Sequence, residues 1–287
     1  MASLRDYLKV LPQYIYAQHT ASRVIRRLTH SRRRWLATWL IRRFLRVYAV
    51  DLSEAVEPDP GAYPTFNAFF TRALRPETRP QPNDDLAVVS PADGVLSECG
   101  QLLGDRILQA KGQYYSVDTL LVNDLYASQQ YHRGRFATIY LAPNNYHRVH
   151  APQAGQIHEV VYVPGALFSV NARTARVVPN LFTRNERVIL HCSSASGPFV
   201  VVMIGAMLVG NMELICCKLR TLMRQRQIAR QGFDRPIPFA RGDELGRFSM
   251  GSTVIVLFPR DTLVWDEALT PGHVVQVGQA LGRLNRR

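Results

Sequence analysis

The chain has 287 residues and a mass of 32.5 kDa, and 47% of its residues are hydrophobic. This length and composition allow one large core or two smaller ones, and they exclude a disordered chain. The formal net charge is +13, and the excess lies near the N-terminus, because residues 1–50 contain eleven arginine and lysine residues and one acidic residue, Asp6. Such a segment binds nucleic acid or anionic lipid, and charge alone does not choose between them.

Residues 1 to about 50 are predicted to form helices, with breaks at Pro12 and at Thr29-His30-Ser31. On a helix that begins near Arg34, an apolar face opposes an arginine face. The apolar face contains Leu36, Leu40, Ile41, Phe44, Val47 and Tyr48, and the opposite face contains Arg42, Arg43 and Arg46. Trp35 and Trp39 border the arginine face, where amphipathic rings suit a lipid headgroup region. A helix at a membrane interface and an amphipathic helix packed on its own domain fit this pattern equally well.

Three further features bear on location. No stretch reaches the roughly 18–20 apolar residues that span a bilayer, and the longest apolar run, Phe199 to Val209, is predicted to be a buried strand. The N-terminus lacks a signal-peptide pattern. The four cysteines show no Cys-x-x-Cys spacing and are expected to be reduced thiols. We therefore expect the protein to stay on the cytoplasmic side.

Pro58-Asp59-Pro60-Gly61 predicts a loop, and a short helix is predicted around Thr65 to Leu74, before a proline-containing linker. From Leu86 onward, short apolar or alternating runs predict strands, among them 135–141, 158–163, 188–192, 200–203 and 253–258. The expected class is α+β, with N-terminal amphipathic helices and a linker over residues 1–80 and a mainly antiparallel β-rich domain over residues 81–287.

The segment Gly272 to Gly282 resembles the hairpin of barrel-sandwich hybrid folds such as biotinyl and lipoyl carriers. This likeness supports a fold and not a function. A carrier needs a modifiable lysine at the hairpin tip, and no lysine follows Lys218. The sequence therefore argues against a carrier.

Gly251-Ser252-Thr253 precedes the apolar run 254–258, which would hold the serine at the start of a rigid strand. Gly-Ser-Thr alone is typical of a turn. A serine hydroxyl becomes a nucleophile when an imidazole takes its proton and a carboxylate orients that imidazole. Asp93 and either His147 or His150 supply these groups. A His-x-x-His pair is also compatible with a structural or metal-binding turn, but zinc needs a further ligand, and the sequence offers no convincing one.

Eight short motifs are distributed along the chain. They are Phe66-Asn67-Ala68-Phe69-Phe70-Thr71-Arg72, Pro91-Ala92-Asp93-Gly94, Gln109-Ala110-Lys111-Gly112, Tyr146-His147-Arg148-Val149-His150, Val163-Pro164-Gly165, Leu167-Phe168-Ser169-Val170-Asn171, Arg184-Asn185-Glu186-Arg187 and Gly251-Ser252-Thr253. Their combination resembles bacterial phosphatidylserine decarboxylases over almost the whole chain. The family motif is Leu-Gly-Ser-Thr, and this chain has Met250 in the leucine position. Because leucine and methionine have similar volumes, this change should cost little.

The resemblance implies a proenzyme that cleaves itself between Gly251 and Ser252, with Asp93, His150 and Ser252 as the self-cleavage triad. The products would be a large β chain (1–251) and a small α chain (252–287) that stay together. Ser252 would become a covalent pyruvoyl group, which forms a Schiff base with the substrate amine. His147 would contact the substrate and assist decarboxylation.

The implied reaction converts phosphatidylserine in the bilayer into phosphatidylethanolamine and CO2, without pyridoxal phosphate or a metal. The implied partners are an anionic membrane surface and the enzyme's own two chains, with a higher homo-oligomer possible and no nucleic acid. A serine hydrolase with an intact chain and a non-enzymatic basic adaptor remain as rival interpretations. Arg184 and Arg187 could bind lipid phosphate, but arginines in such a run more often pair with carboxylates such as Glu186, so we do not assign them to the site.

Overall fold

The computed structural model describes residues 3–15, 18–207, 212–249 and 252–285. Its helices are Leu4–Val10 (α1), Pro12–Ile15 (α2), Gln18–Thr29 (α3), Arg34–Val47 (α4), Phe66–Phe70 (α5), Val117–Leu120 (α6), Leu125–Gln129 (α7), Ala172–Val177 (α8), Leu181–Arg184 (α9) and Leu219–Met223 (α10), with a 3-10 turn at Pro76–Thr78.

The strands are Ala87–Val89 (β1), Gly94–Gln101 (β2), Arg106–Ala110 (β3), Gln113–Ser116 (β4), Arg135–Leu141 (β5), Arg148–His150 (β6), Gly155–Val163 (β7), Arg187–Ser194 (β8), Gly197–Ile204 (β9), Met212–Leu214 (β10), Ala229–Phe239 (β11), Glu244–Phe248 (β12), Ser252–Phe258 (β13), Leu263–Trp265 (β14), Val274–Val275 (β15) and Ala280–Leu284 (β16). Every pairing between these strands is antiparallel. The predicted α+β class is confirmed.

An eight-stranded sheet forms the centre of the protein, in the order β11-β7-β8-β9-β13-β5-β2-β15. Strand β13 lies between β9 and β5, and each of its residues is buried. Both faces of a central strand are covered, which is why 254–258 is a continuous apolar run rather than an alternating one. The position of β13 fixes Ser252 at the start of the most enclosed strand of the sheet.

A three-stranded sheet in the order β10-β12-β6 contains β12, the strand that precedes Ser252 in the chain. Strand β6 brings His150 opposite Glu244 of β12. The chain then leaves β12 through Ser249 and reaches Ser252 by way of residues 250 and 251, which lie outside the described residues. The histidine motif is therefore paired with the segment that leads directly into the predicted cleavage site.

The N-terminal helices pack on the rest of the protein at two places. Val10 of α1 joins the main core, and Asp6 forms an ion pair with Arg173 of α8. Helix α4 packs against α5 in a second, smaller apolar cluster that includes Ile41 and Phe69, both fully buried. These contacts tie the basic N-terminal segment to the β-rich part of the chain.

Several sequence predictions need correction in detail. Helix α4 begins at Arg34 as predicted, but Val47 is 62% exposed, because α5 covers only the middle turns of the predicted apolar face. The helix predicted from Thr65 to Leu74 ends at Phe70, because Leu74 instead forms an extended bridge with Ala55. The strand predicted from Phe199 is described as far as Ile204, and residues 208 and 209 lie outside the described ranges. No helix in those ranges is both long and apolar enough to cross a bilayer.

Candidate functional site

Ser252 is the first residue of β13 and pairs with Leu141 of β5. Its side chain is fully buried, and its Oγ has no hydrogen-bond partner within the described part of the chain. A buried hydroxyl in this state is uncommon, because it loses its hydrogen bonds to water without replacement. The hydroxyl of Ser252 is therefore available to a neighbouring base.

Residues that lie side by side on neighbouring strands of the central sheet place Ser252 next to two of the family motifs. On one side, the pairing of Val95 with Tyr140 brings Gly94 beside Leu141, the partner of Ser252. Gly94 must lack a side chain, since a Cβ atom there would collide with the backbone carbonyl of Tyr140. On the other side, the pairing of Thr253 with Ile204 continues to Gly205, whose backbone N–H donates to the carbonyl of Glu186.

Asp93 is buried, and it is held by a cation and by the backbone. Nε of Arg79 donates to Oδ1 of Asp93 at 3.0 Å, and Nη2 of the same arginine donates to Oδ2. The backbone N–H of Val277 donates to Oδ1 at 2.8 Å, and Arg79 also pairs with Glu54 at 2.8 Å. This two-point guanidinium contact fixes the Asp93 carboxylate rigidly.

The ring of His150 is held at both nitrogens. Nδ1 lies 2.7 Å from the carbonyl oxygen of Gly242, and Nε2 lies 3.1 Å from the hydroxyl of Tyr146. Desolvation by burial lowers the pKa of His150, so the ring is neutral near pH 7. Because a carbonyl can only accept, Nδ1 must carry the proton, which leaves Nε2 as the basic nitrogen that accepts from Tyr146.

His147 lies in a more enclosed environment. It is fully buried, its ring stacks on Phe70, and its Nδ1 has no partner among the residues described. Burial, with a smaller contribution from the positive charge of Arg72, lowers the pKa of His147 to about 3. His147 is therefore a neutral imidazole with one uncommitted nitrogen.

The side chains of His147 and His150 point in opposite directions. His150 ends β6, and His147 lies directly before its first residue, where its backbone carbonyl accepts a hydrogen bond from Phe248 of β12. The backbone is thus extended from His147 to His150, and residues three apart point to opposite sides. His147 accordingly contacts α5, and His150 faces Gly242 and Tyr146. A backbone hydrogen bond of 2.8 Å from His150 to Pro91 places the Asp93 loop against β6.

Asp93, His150 and Ser252 occupy neighbouring elements, but no hydrogen bond joins any two of these three side chains, all of which are described. The carbonyl of Gly242, rather than Asp93, holds Nδ1 of His150. Gly251 lies outside the described residues. The roles assigned to the triad and to His147 therefore stay predictions.

Sequence reasoning missed three contributors to this site, namely Arg79, Phe70 and Tyr146. Tyr146 and Phe70 stand inside motifs that point to the site, and this was the signal that could have identified them. Arg79 lies in the proline-containing linker, where nothing in the local sequence distinguishes it from other arginines. Its role depends on a contact with Asp93, 14 positions along the chain.

The side chains of Arg187 and Arg184 contact other parts of the protein. Arg187 is 3% exposed and donates to the backbone carbonyls of Leu120 and Thr119, so it is not available to lipid phosphate. Arg184 lies over the rings of Tyr14 and Phe168. In the described ranges, no cluster of three or more histidine, cysteine, aspartate or glutamate side chains could hold a metal ion.

Comparison with known proteins identifies the family. The family model described as phosphatidylserine decarboxylase matches residues 66–283, and a second model described as PSD matches residues 8–49. A phosphatidylserine decarboxylase proenzyme of Nitrosococcus oceani is 44% identical over 283 residues, which cover 98% of this chain and 92% of that protein. Proteins of the same name from Azotobacter vinelandii and Marinobacter nauticus are 42% and 44% identical, each over 98% of this chain and 99% of the relative. The chain therefore belongs to the phosphatidylserine decarboxylase family of enzymes.

Proposed function

We propose that this protein cleaves itself between Gly251 and Ser252 and then converts phosphatidylserine into phosphatidylethanolamine and CO2. The family match supports the reaction, since three relatives that share 42–44% identity carry the name phosphatidylserine decarboxylase proenzyme. The observation that carries the proposal is the buried hydroxyl of Ser252, which has no hydrogen-bond partner in the described ranges.

In the self-cleavage step, Nε2 of His150 accepts the hydroxyl proton of Ser252, and Oγ attacks the carbonyl carbon of Gly251. The peptide C–N bond breaks, its nitrogen takes up a proton, and an ester remains. Removal of the Cα proton of residue 252 then breaks the ester bond from Cβ to oxygen. This releases a chain that ends in the Gly251 carboxylate and leaves dehydroalanine, which tautomerises, takes up water and loses ammonia to give the pyruvoyl group.

Tyr146 and Asp93 prepare His150 for this role. The Tyr146 hydroxyl occupies Nε2 in the structure, and burial raises the pKa of Tyr146 to about 12, so it stays a neutral donor. Tyr146 must release Nε2 before the proton of Ser252 can transfer. The negative charge of Asp93 favours the imidazolium that then forms, since it acts on His150 from the neighbouring loop.

A pyruvoyl group at position 252 would supply the electron sink for loss of CO2, as cofactor ketones and aldehydes do in other decarboxylases. Position 252 suits this chemistry because β13 is buried along its whole length, and electrostatic interactions with the reacting atoms are stronger in such an environment than in bulk water. We assign proton transfer during decarboxylation to His147, whose Nδ1 has no other partner among described residues. No residue in this assignment needs a metal.

We further propose that residues 1–80 form a membrane-associating region and residues 81–287 the catalytic domain, which has barrel-sandwich-hybrid character near its C-terminal hairpin. Trp35 and Trp39 are 68% and 57% exposed, and they share a surface groove with four arginines of α4. Exposed indole rings among arginines suit an anionic headgroup layer. The protein would bind the cytoplasmic face of the cell membrane peripherally, as a pair of its own cleaved chains.

The intact mass of the purified protein and CO2 release from phosphatidylserine test the proposal together. We expect two masses, for residues 1–251 and for residues 252–287, and a single mass for Ser252→Ala, which should be inactive. Cyanoborohydride added with phosphatidylserine should attach the lipid to the small chain. A serine hydrolase would keep one chain and release fatty acid or alcohol, whereas an adaptor would be unaffected by Ser252→Ala. An active enzyme that remains a single chain would contradict the proposal.

A further inference from the structure

A cavity of about 520 Å³ lies between α3, the end of β7 and the turn after α10. Its volume is within the range of small-molecule sites, about 300–1,000 Å³. The polar side chains that line it are those of Ser22, Arg23, Arg26, Tyr162, Glu186 and Arg226. None of these residues belongs to the predicted triad.

The charge inside this cavity is positive. Three arginines face one carboxyl group, Glu186, which is 7% exposed and hydrogen-bonded to Tyr162. Burial raises the pKa of Glu186 to about 7, so part of the population is uncharged near neutral pH. Within the described part of the chain, neither Arg26 nor Arg226 lies within salt-bridge distance of a carboxylate. These guanidinium groups can therefore bind an external anion without first breaking an ion pair.

Ser22 provides an independent sign that the cavity takes a polar ligand. Its side chain is 3% exposed, and its Oγ has no hydrogen-bond partner among the residues that the structure describes. A buried hydroxyl that lines a polar cavity is an available donor for a ligand oxygen. Ser22 lies on the same helix as Arg23 and Arg26, so α3 presents three donor side chains to one space.

The cavity is close to the reacting position. Glu186 contributes its backbone carbonyl to Gly205, and Gly205 lies beside Ser252 on the neighbouring strand. Two strand spacings, about 10 Å, therefore separate Ser252 from Glu186. The side chain of Leu167, another lining residue, is also close to Gly205. A headgroup whose amine reaches residue 252 could extend its remaining polar atoms toward this cavity.

We propose that this cavity binds the phosphate group of the substrate headgroup, with Arg26, Arg226 and the hydroxyl of Ser22 as donors. The proposal rests on the proposed decarboxylase function. Arginine forks match the oxygens of a phosphodiester. Helix α3, which lines the cavity, belongs to residues 1–80, the region that we propose to associate with the membrane. Free phosphate carries the same chemistry and would occupy the same donors.

The test compares two double variants of the full, self-cleaved enzyme. Arg26→Gln with Arg226→Gln removes both cavity guanidinium groups. Arg220→Gln with Arg224→Gln is the matched control, since it removes the same charge from exposed positions that do not line the cavity. Each enzyme is assayed in neutral detergent micelles with phosphatidylserine and with O-dodecanoyl-L-serine, which has the amine, the carboxylate and a chain but no phosphate.

We expect the cavity variant to raise KM for phosphatidylserine at least about tenfold, because hydrogen bonds to charged groups contribute more than the free energy of a tenfold change. Its KM for O-dodecanoyl-L-serine should stay within about twofold of wild type, and the control should match wild type on both substrates. Equal losses on the two substrates, or no change with phosphatidylserine, would overturn the proposal. If the double variant does not fold, the single Arg226→Gln at an exposed side chain carries the same comparison.

Competition by soluble ligands separates the two sources of phosphate. Competition by glycerophosphoserine alone identifies a headgroup site. Equal competition by inorganic phosphate identifies a general phosphate site. In either case, the competition should disappear in the cavity variant. Competition by neither would overturn the proposal. If wild type releases no CO2 from phosphatidylserine, the proposed function fails, and calorimetric binding of glycerophosphoserine to the wild type and not to the cavity variant still decides whether the cavity binds phosphate.

Discussion

The imidazole of His147 stacks on the ring of Phe70, with 4.1 Å between the ring centroids and 22° between the planes. Phe70 belongs to α5, which packs against α4 of the basic N-terminal segment. The stacking covers one face of the His147 ring, and burial is the main reason that the pKa of His147 falls to about 3. Phe70, which precedes the β-rich region, therefore contributes to the burial that keeps this histidine neutral.

Replacement of Phe70 should expose His147. Phe70→Ala removes a ring that is 1% exposed, so we expect a loss of about 3–5 kcal/mol in unfolding free energy. Water that enters the space should raise the pKa of His147 from about 3 toward its ordinary value near 6.5. Histidine NMR titration measures this shift, and Phe70→Leu should cause a smaller one. An unchanged His147 pKa in Phe70→Ala would show that the aromatic wall does not control it.

Acid should destabilise the protein through His147. The pKa of this histidine is about 3 in the folded state and near 6.5 when unfolded, so between these values only the unfolded chain binds the proton. Its contribution to stability is therefore present above pH 6.5 and is lost as the pH falls toward 3, by at most about 1.4 kcal/mol per pH unit. Denaturant titrations at several pH values should show a shallower slope for His147→Gln. The exposed His273→Gln is the control, and it should keep the wild-type slope.

Arg79 should be necessary for the Asp93 site. Arg79→Met leaves the buried carboxylate of Asp93 without its cation, which should cost about 3–5 kcal/mol and slow self-cleavage. Arg75→Met is the matched control, because its ion pair with Glu77 is at least half exposed and should contribute no more than about 1 kcal/mol. Denaturant unfolding and a denaturing gel measure the two effects. Full stability and full cleavage in Arg79→Met would contradict this role.

Periodicity and local motifs predicted much of the fold. Strand β5 was predicted with its observed bounds, and α4 with its observed start at Arg34. Both depend on a repeat of apolar residues that the local sequence displays directly. The bounds of α5 were wrong, because Leu74 bridges to Ala55, a contact that leaves no mark on the local pattern.

In the site too, local motifs predicted the residues, whereas contacts between residues distant in the sequence could not be predicted. The motifs predicted four site residues, Ser252, Asp93, His147 and His150. The structure adds the contacts that position their side chains. The contacts of Asp93 with Arg79 and Val277, and of His150 with Gly242, connect residues far apart in the chain. The arrangement of His147 and His150 on opposite sides required knowledge that the backbone from His147 through β6 is extended. Barrel-sandwich character and the domain boundary at residue 80 stay predictions.

The two histidines should separate maturation from turnover. His150→Ala and Asp93→Asn should accumulate the uncleaved precursor, because Ser252 then lacks its base or the charge that favours the imidazolium. His147→Ala should still cleave substantially but release CO2 at least about a hundredfold more slowly, the usual contribution of a general acid or base. Intact mass and CO2 release measure the two properties on the same samples. Normal cleavage in His150→Ala would refute this division.

The exposed face of α4 should dock the enzyme on anionic bilayers. Deletion of residues 1–50 is a poor test, because Val10 and Ile41 are buried in the two cores and their loss would also affect folding. Replacement of Trp35 and Trp39 by alanine removes only exposed rings, and the matched control is Tyr126→Ala, whose side chain is 94% exposed outside this segment.

Sedimentation with phosphatidylglycerol vesicles should weaken in the double tryptophan variant and not in the control. Binding of wild type should also weaken when salt rises from about 0.1 M to about 1 M, because the screening length falls from about 10 Å to about 3 Å. Replacement of Arg42, Arg43 and Arg46 by glutamine should remove most of this salt dependence, since those charges produce it. If the tryptophan and arginine variants sediment like wild type at both salt concentrations, α4 is not the membrane contact, and the N-terminal arginines require another explanation.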